Sequence, residues 1–147
     1  MKLSFSTKNW PDYDFNKFVE EANELKFGAI ELHDTDLAEG ETNRIRSFLF
    51  NEGVEICAVN SEFNIADKTK LKEYITELPD LCKKAKLLNC DYVRVYAKSD
   101  EEDAKETVID FLKEAIPIAE KEKATILIVT RDLFSDTEKL SEVLKAS

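Results

Sequence analysis

An α/β fold around a parallel sheet is predicted by three features of the sequence. Short β-rich apolar runs alternate five times with longer stretches of helical periodicity, the pattern of successive βαβ units. The runs VRVYA and TILIV are nearly continuous in apolar or β-branched residues, as expected of strands covered on both faces. The units recur at roughly 30 residues, enough for one strand, one helix and short connections.

Taken in order, strands are expected at Lys2 to Ser6, Ala29 to His33, Glu55 to Asn60, Tyr92 to Ala97 and Thr125 to Thr130. Helices fill the gaps at Asp14 to Lys26, Glu41 to Glu52, Thr69 to Leu88, Glu102 to Lys121 and Asp136 to Lys145. In the first helix Phe15, Phe18, Val19, Ala22 and Leu25 recur at three- and four-residue steps, which gives one apolar stripe to lay on the sheet. Asp14 and Asp136 stand where a side-chain oxygen would accept the free first-turn amides, and Gly53 stands where a left-handed residue ends a helix. Pro79 and Pro117 fall inside the third and fourth helical patterns, so a kink or break is expected just before each.

The 147 residues, 43% of them hydrophobic, suit one globular domain over 1–147. An eight-unit β/α barrel takes about 250 residues, so five units at this spacing make an incomplete barrel. A flavodoxin-like doubly wound sheet of order 2-1-3-4-5 accommodates the same five units and is the alternative.

Thirty-one acidic against 21 basic residues give a formal charge of −10, which argues against nucleic acid as a partner. The runs Lys98 to Lys105 and Glu120 to Lys123 read as solvated helix ends. No apolar run approaches the roughly 20 residues that span a bilayer, and none has the form of a signal peptide, so a cytoplasmic protein without a membrane partner is expected. Cys57, Cys82 and Cys90 lack CxxC spacing and read as reduced, mostly buried thiols. No GxGxxG, P-loop, GxSxG or HExxH sequence occurs, which leaves no phosphate-cradling loop, nucleophile elbow or zincin helix.

The segments FSTKNWPDYDF, GAIELH, LLNCDYVRVYA and TILIVTRDLFSDTEKL stand in the order and spacing of a known group. Through them the whole chain resembles the xylose isomerase-like TIM barrel family of sugar phosphate isomerases and epimerases. The resemblance implies chemistry at the C-terminal ends of the strands. It also implies a divalent metal, Mg, Mn or Zn, in a complete member, with a first ligand glutamate in a fifth-strand pattern L-I-E-T-[NH]. Here that run reads Leu127, Ile128, Val129, Thr130, Arg131, and the family's remaining ligands come from strands six to eight. No metal or other cofactor is therefore expected in this chain, and the chain alone is expected to be inactive. A non-catalytic binding or interaction module of barrel ancestry is the alternative.

The expected strand ends supply the candidate site residues. His33 is the only histidine; with Glu31 on the same side of its strand it is a weak candidate for general base chemistry, against an imidazole with no catalytic role. Trp10, His33, Asn60, Arg94 and Arg131 are candidate contacts to a small sugar or sugar phosphate. Arg94 serves equally well as a structural partner of Glu31 or Glu55, and Glu31, Glu55 and Glu62 are candidate paired carboxylates. An open arc would expose two sheet edges and an inner face lined by some of Leu3, Phe5, Ile30, Val93, Val95, Ile126 and Ile128, so a homo-oligomer, most simply a dimer, is expected.

Overall fold

The computed structural model describes residues 3–9, 14–37 and 40–147. Five strands, β1 (Ser4–Ser6), β2 (Ala29–His33), β3 (Glu55–Asn64), β4 (Tyr92–Ser99) and β5 (Thr125–Asp132), lie in the order β1-β2-β3-β4-β5. Every neighbouring pair is parallel. This sequential order is half of a β/α barrel and excludes the flavodoxin-like arrangement, in which β1 would lie between two later strands.

The connecting helices are α1 (Phe15–Glu24), α2 (Thr42–Glu52), α3 (Leu71–Leu87), α4 (Ala104–Lys121) and α5 (Thr137–Ala146). Their apolar stripes, among them Val19, Ile45, Leu78, Phe111 and Val143, form one buried cluster with Ile30, Leu32, Val59, Val93 and Val95 from the sheet. At about 25 cal/mol per Å² of buried apolar area, this helix-on-sheet layer is the main source of stability. Phe18 is buried on Phe5, with ring centroids 4.4 Å apart, and Phe15 packs on Phe48.

Asp14 accepts the amide of Asn16, Asp136 accepts those of Glu138 and Lys139, and Gly53 closes α2 at φ 69°. The expected breaks at Pro79 and Pro117 do not occur: both lie within continuous helices. Each lacks the N–H that would bond the carbonyl four residues earlier. The buried side chains flanking it, Leu78 and Leu81 in α3 and Ala115 and Ala119 in α4, nevertheless keep both halves of the helix packed inward.

Two further expectations are corrected. β3, β4 and β5 run past their expected ends to Asn64, Ser99 and Asp132: β4 and β5 stay paired up to Ser99 and Asp132, and β3 re-pairs with β4 at Asn64 after a register shift. Of the apolar residues expected to divide between the two faces, Leu3 is exposed and the other six lie together on the helix side. Ile30, Val93 and Val95 are fully buried in the helix layer, and Phe5, Ile126 and Ile128 pack against it. Alternation then points Glu31, Arg94, Tyr96 and Lys98 to the other, concave face. That face is polar along β2 and β4 but carries Leu127 and Val129 on β5, level with Arg94 and Tyr96.

Candidate functional site

Parallel pairing fixes which side chains share the concave face near the C-terminal strand ends. Ser6 is level with Glu31, His33 with Asn60, Asn60 with Arg94, and Lys98 with Arg131. A register shift between Ile30 and Glu31 brings Ala58 level with Glu31.

The deeper layer is centred on Glu31. Its carboxylate accepts from the Asn60 amide through one oxygen and from Arg94 Nη1 through the other. Asn60 is fully buried and also lies 3.5 Å from Ser6 Oγ. Arg94 thus takes up its structural role with Glu31; Glu55 sits exposed at the opposite end of β3.

The upper layer is centred on Glu62. Glu62 Oε1 lies 2.8 Å from His33 Nε2 and 3.0 Å from Lys8 Nζ, and Lys8 Nζ donates to the Tyr96 hydroxyl at 2.9 Å. Burial pushes the Glu62 carboxyl upward, but hydrogen bonds from Lys8 and His33 outweigh it and hold the group below the ordinary glutamate value. The Tyr96 hydroxyl is likewise lowered: burial opposes ionisation, while Lys8 and Arg94 favour it.

His33 is a buried strand-end residue whose ring also serves the next turn. Nδ1 lies 2.9 Å from Thr35 Oγ1 and 3.0 Å from Asp34 Oδ1, a contact close enough to act as a charge pair without directed hydrogen-bond geometry at that oxygen. The Asp34 carboxylate is the chief cause of an imidazole pKa above the usual 6.5, with burial opposing it and Glu62 adding to it. The backbone amide of His33 is held by Thr7 Oγ1 and Asp36 Oδ2, which tie β1 and β2 together at the rim.

Beyond these layers a cavity of about 270 Å³ opens at the ends of β3, β4 and β5, lined by Lys8, Glu62, Asn64, Tyr96, Lys98 and Arg131. Asn64 bridges β3 to β4 through the backbone of Lys98, donating to its carbonyl and accepting from its amide, both at 3.0 Å. Asp132, immediately after Arg131, has φ 53° and ψ −122°, a conformation that a residue with a Cβ rarely adopts.

The structure therefore unites Glu31, His33, Asn60 and Arg94 on one surface and places Arg131 at its edge, while Trp10 lies outside the described residues. Glu31 and Glu62 are each engaged by a different cation, Arg94 and Lys8 respectively. Lys8, Asn64, Tyr96 and Lys98 are rim residues that the sequence analysis did not single out. Lys98 in particular lies on β4 and not at a helix end. Period-two spacing from Arg94 through Tyr96 to Lys98 was the available signal.

The residues present do not fit the family's divalent metal. Val129, level with Tyr96, offers no donor atom, and among the described residues no three His, Cys, Asp or Glu side chains converge as a ligand set. Nearby, Lys98 and Arg131 put positive charge on the cavity wall.

A family profile described as xylose isomerase-like TIM barrel matches residues 19–145. Among solved structures, the probable 3-DHS dehydratase AsbF of petrobactin synthesis from Bacillus anthracis superposes with a TM-score of 0.82 at 19% identity. That match covers 99% of this chain and 59% of the dehydratase. The IOLI protein with a bound zinc atom gives 0.79 at 22% identity, covering 99% and 58%. A sugar phosphate isomerase/epimerase from Parabacteroides distasonis gives 0.72 at 11%, covering 99% and 61%. The chain thus spans about three fifths of the length of these structures, and at such identities they establish the fold. A search of curated proteins finds no match. Among the described residues no helix is long and apolar enough to cross a membrane.

Proposed function

The chain belongs to the xylose isomerase-like TIM barrel family, and from that premise we propose that it forms a rim for binding a small sugar or sugar phosphate, without a metal centre or isomerase activity of its own. The observation that carries this reading is the composition of the concave face. Glu31, His33, Arg94 and Tyr96 present donors and acceptors there, held in place by one another and by the buried Asn60 beneath them, which suits a polyhydroxylated ligand. The fifth-strand position that bears a metal-binding glutamate in the family pattern is Val129, so Lewis-acid polarisation of a sugar carbonyl has no support from that strand.

One of the solved structures that share the fold is named as a sugar phosphate isomerase/epimerase, and the choice of a sugar or sugar phosphate as ligand is consistent with that name. The three free thiols, two of them buried, suit a reducing compartment such as the cytoplasm.

Two measurements test the reading together. Titration with a neutral pentose and with a pentose phosphate, followed by amide NMR, is expected to shift resonances of β2 to β4 at the rim. Calorimetry with Mn²⁺ is expected to show no tight site. A micromolar Mn²⁺ site, or sugar turnover that disappears with chelator, overturns the proposal.

A further inference from the structure

We propose that Lys98, Arg131 and Lys8 form a receptor for a dianionic phosphate group. This deepens the sugar-binding reading by naming the charged end of its ligand, although the anion site itself stands on separate observations.

The first observation is a like-charge pair. Lys98 and Arg131 are direct register partners on adjacent parallel strands, which run about 4.8 Å apart, and both line the same cavity. Among the described residues neither side chain has an ion-pair partner. Two cations side by side without a counter-charge repel each other, as like charges at neighbouring sheet positions do. A bound anion converts that repulsion into two attractive contacts.

The second observation is where these cations stand in the charge distribution. The chain carries a formal −10, yet the cavity wall holds Lys8, Lys98 and Arg131 against the single carboxylate of Glu62. Three cations and one carboxylate leave a formal excess of two positive charges, which matches the −1.5 to −2 of a phosphate monoester at neutral pH. Because Glu62 already engages Lys8, the two uncompensated charges are those of Lys98 and Arg131.

The third observation is pre-organisation. The Asn64 side chain clamps the Lys98 backbone from both directions, and Lys8 is held by Glu62 and by the Tyr96 hydroxyl. The Tyr96 hydroxyl, itself a cavity-lining group, accepts from Lys8 and keeps its own O–H as a donor beside the cations. Arg131 provides the planar fork that pairs two phosphate oxygens. A volume of about 270 Å³ suits a small phosphorylated molecule and not a polymer.

The test uses the whole chain and inorganic phosphate, monitored by amide NMR and calorimetry at low ionic strength near neutral pH. Saturable binding with millimolar affinity is expected, with the largest shifts at Asn64, Lys98 and Arg131 and a loss of affinity on adding salt. Arg131→Met and Lys98→Met, both at exposed positions, are each expected to weaken phosphate binding about tenfold while leaving the thermal midpoint unchanged. Absence of saturable binding overturns the proposal, as does binding that both variants retain. Acetate bound as tightly as phosphate overturns the dianion assignment. Phosphate binding without any response to neutral pentose upholds this site and removes the sugar reading, so the two failures are distinguishable.

Discussion

Arg94 on β4 reaches over the intervening strand β3 to the carboxylate of Glu31 on β2, and the Asn60 side chain of β3 fills the space between them. The three strands are thus tied on their concave side by charge-assisted hydrogen bonds, opposite the apolar layer that ties them to the helices. Asn60 Oδ1 and Arg94 Nε have no hydrogen-bond partner among the described residues, so the cluster has little spare capacity to absorb another orphaned group.

Glu31→Gln is expected to destabilise the fold by about 2 kcal/mol, below the 3–5 kcal/mol of a fully buried pair because Arg94 keeps some access to solvent. Glu31→Gln combined with Arg94→Met is expected to recover part of that loss, since no uncompensated guanidinium remains. Urea unfolding of the four proteins of the cycle measures the coupling. Additive losses would show that the two side chains do not act as a pair.

Stability is expected to peak between the titrations of Glu62 and His33. His33 has a raised folded pKa, so its contribution is complete below the unfolded value near 6.5 and is lost as pH rises through the higher folded value. Glu62 has a lowered folded pKa, so its contribution is present above the unfolded value near 4.3 and is lost as pH falls through the folded one. The groups facing the ring are Asp34 and Glu62, with Lys8 on the far side of Glu62. Urea midpoints measured across this range should fall on the alkaline side in the native sequence, and His33→Gln should flatten that fall. An unchanged alkaline limb in the variant would remove His33 as its source.

Asp132→Gly is expected to raise stability by about 1 kcal/mol. The native φ of 53° with ψ of −122° costs on the order of 1–3 kcal/mol for a residue with a Cβ, and the greater freedom of glycine in the unfolded chain offsets roughly 0.5–1 kcal/mol of the gain. If the urea midpoint falls, the Asp132 side chain contributes more than its backbone strain costs. The same variant tests whether that conformation helps aim Arg131, because phosphate affinity would then decrease while stability increased.

The order of elements and the direction of the sheet were legible in the sequence because they depend on local signals. Asp14, Gly53 and Asp136 mark helix ends by their own chemistry, and the alternation of β-rich and helical periods carries the topology. The faces of the strands were harder to read. Period-two spacing groups Arg94 with Tyr96 and Lys98, but only the packing of Val93 and Val95 into the helix layer shows which group faces inward. Lys98 was concealed further by the acidic run that follows it, which made a strand end look like the start of a solvated helix. The Glu31, Asn60 and Arg94 cluster depends on three separate registers and on the shift beside Glu31, information that no single strand contains.

The last prediction concerns the edges of the arc. Among the described residues β1 pairs only with β2 and β5 only with β4, so each leaves one row of backbone donors and acceptors unpaired within the sheet. The two edges are unequal. β1 has three strand residues, whereas β5 has eight, with Leu127 37% exposed on the concave side. The polar side chains of β2 to β4 on that side weaken the apolar drive for packing two concave faces together, and the apolar residues there, Leu127 and Val129, lie on the edge strand β5, which favours edge pairing as the route to association. A two-fold axis beside β5 would pair it antiparallel with its counterpart and extend the sheet across both copies. Light scattering of the isolated chain at micromolar concentration is therefore expected to give twice 16.9 kDa. Leu127→Lys, which sets a charge beside its symmetry mate at the edge, is expected to shift the population toward monomer with little change in thermal midpoint at low concentration. A monomer mass for the native sequence would show that the chain shields its own edge, and a dimer unaffected by the lysine would move the interface away from β5.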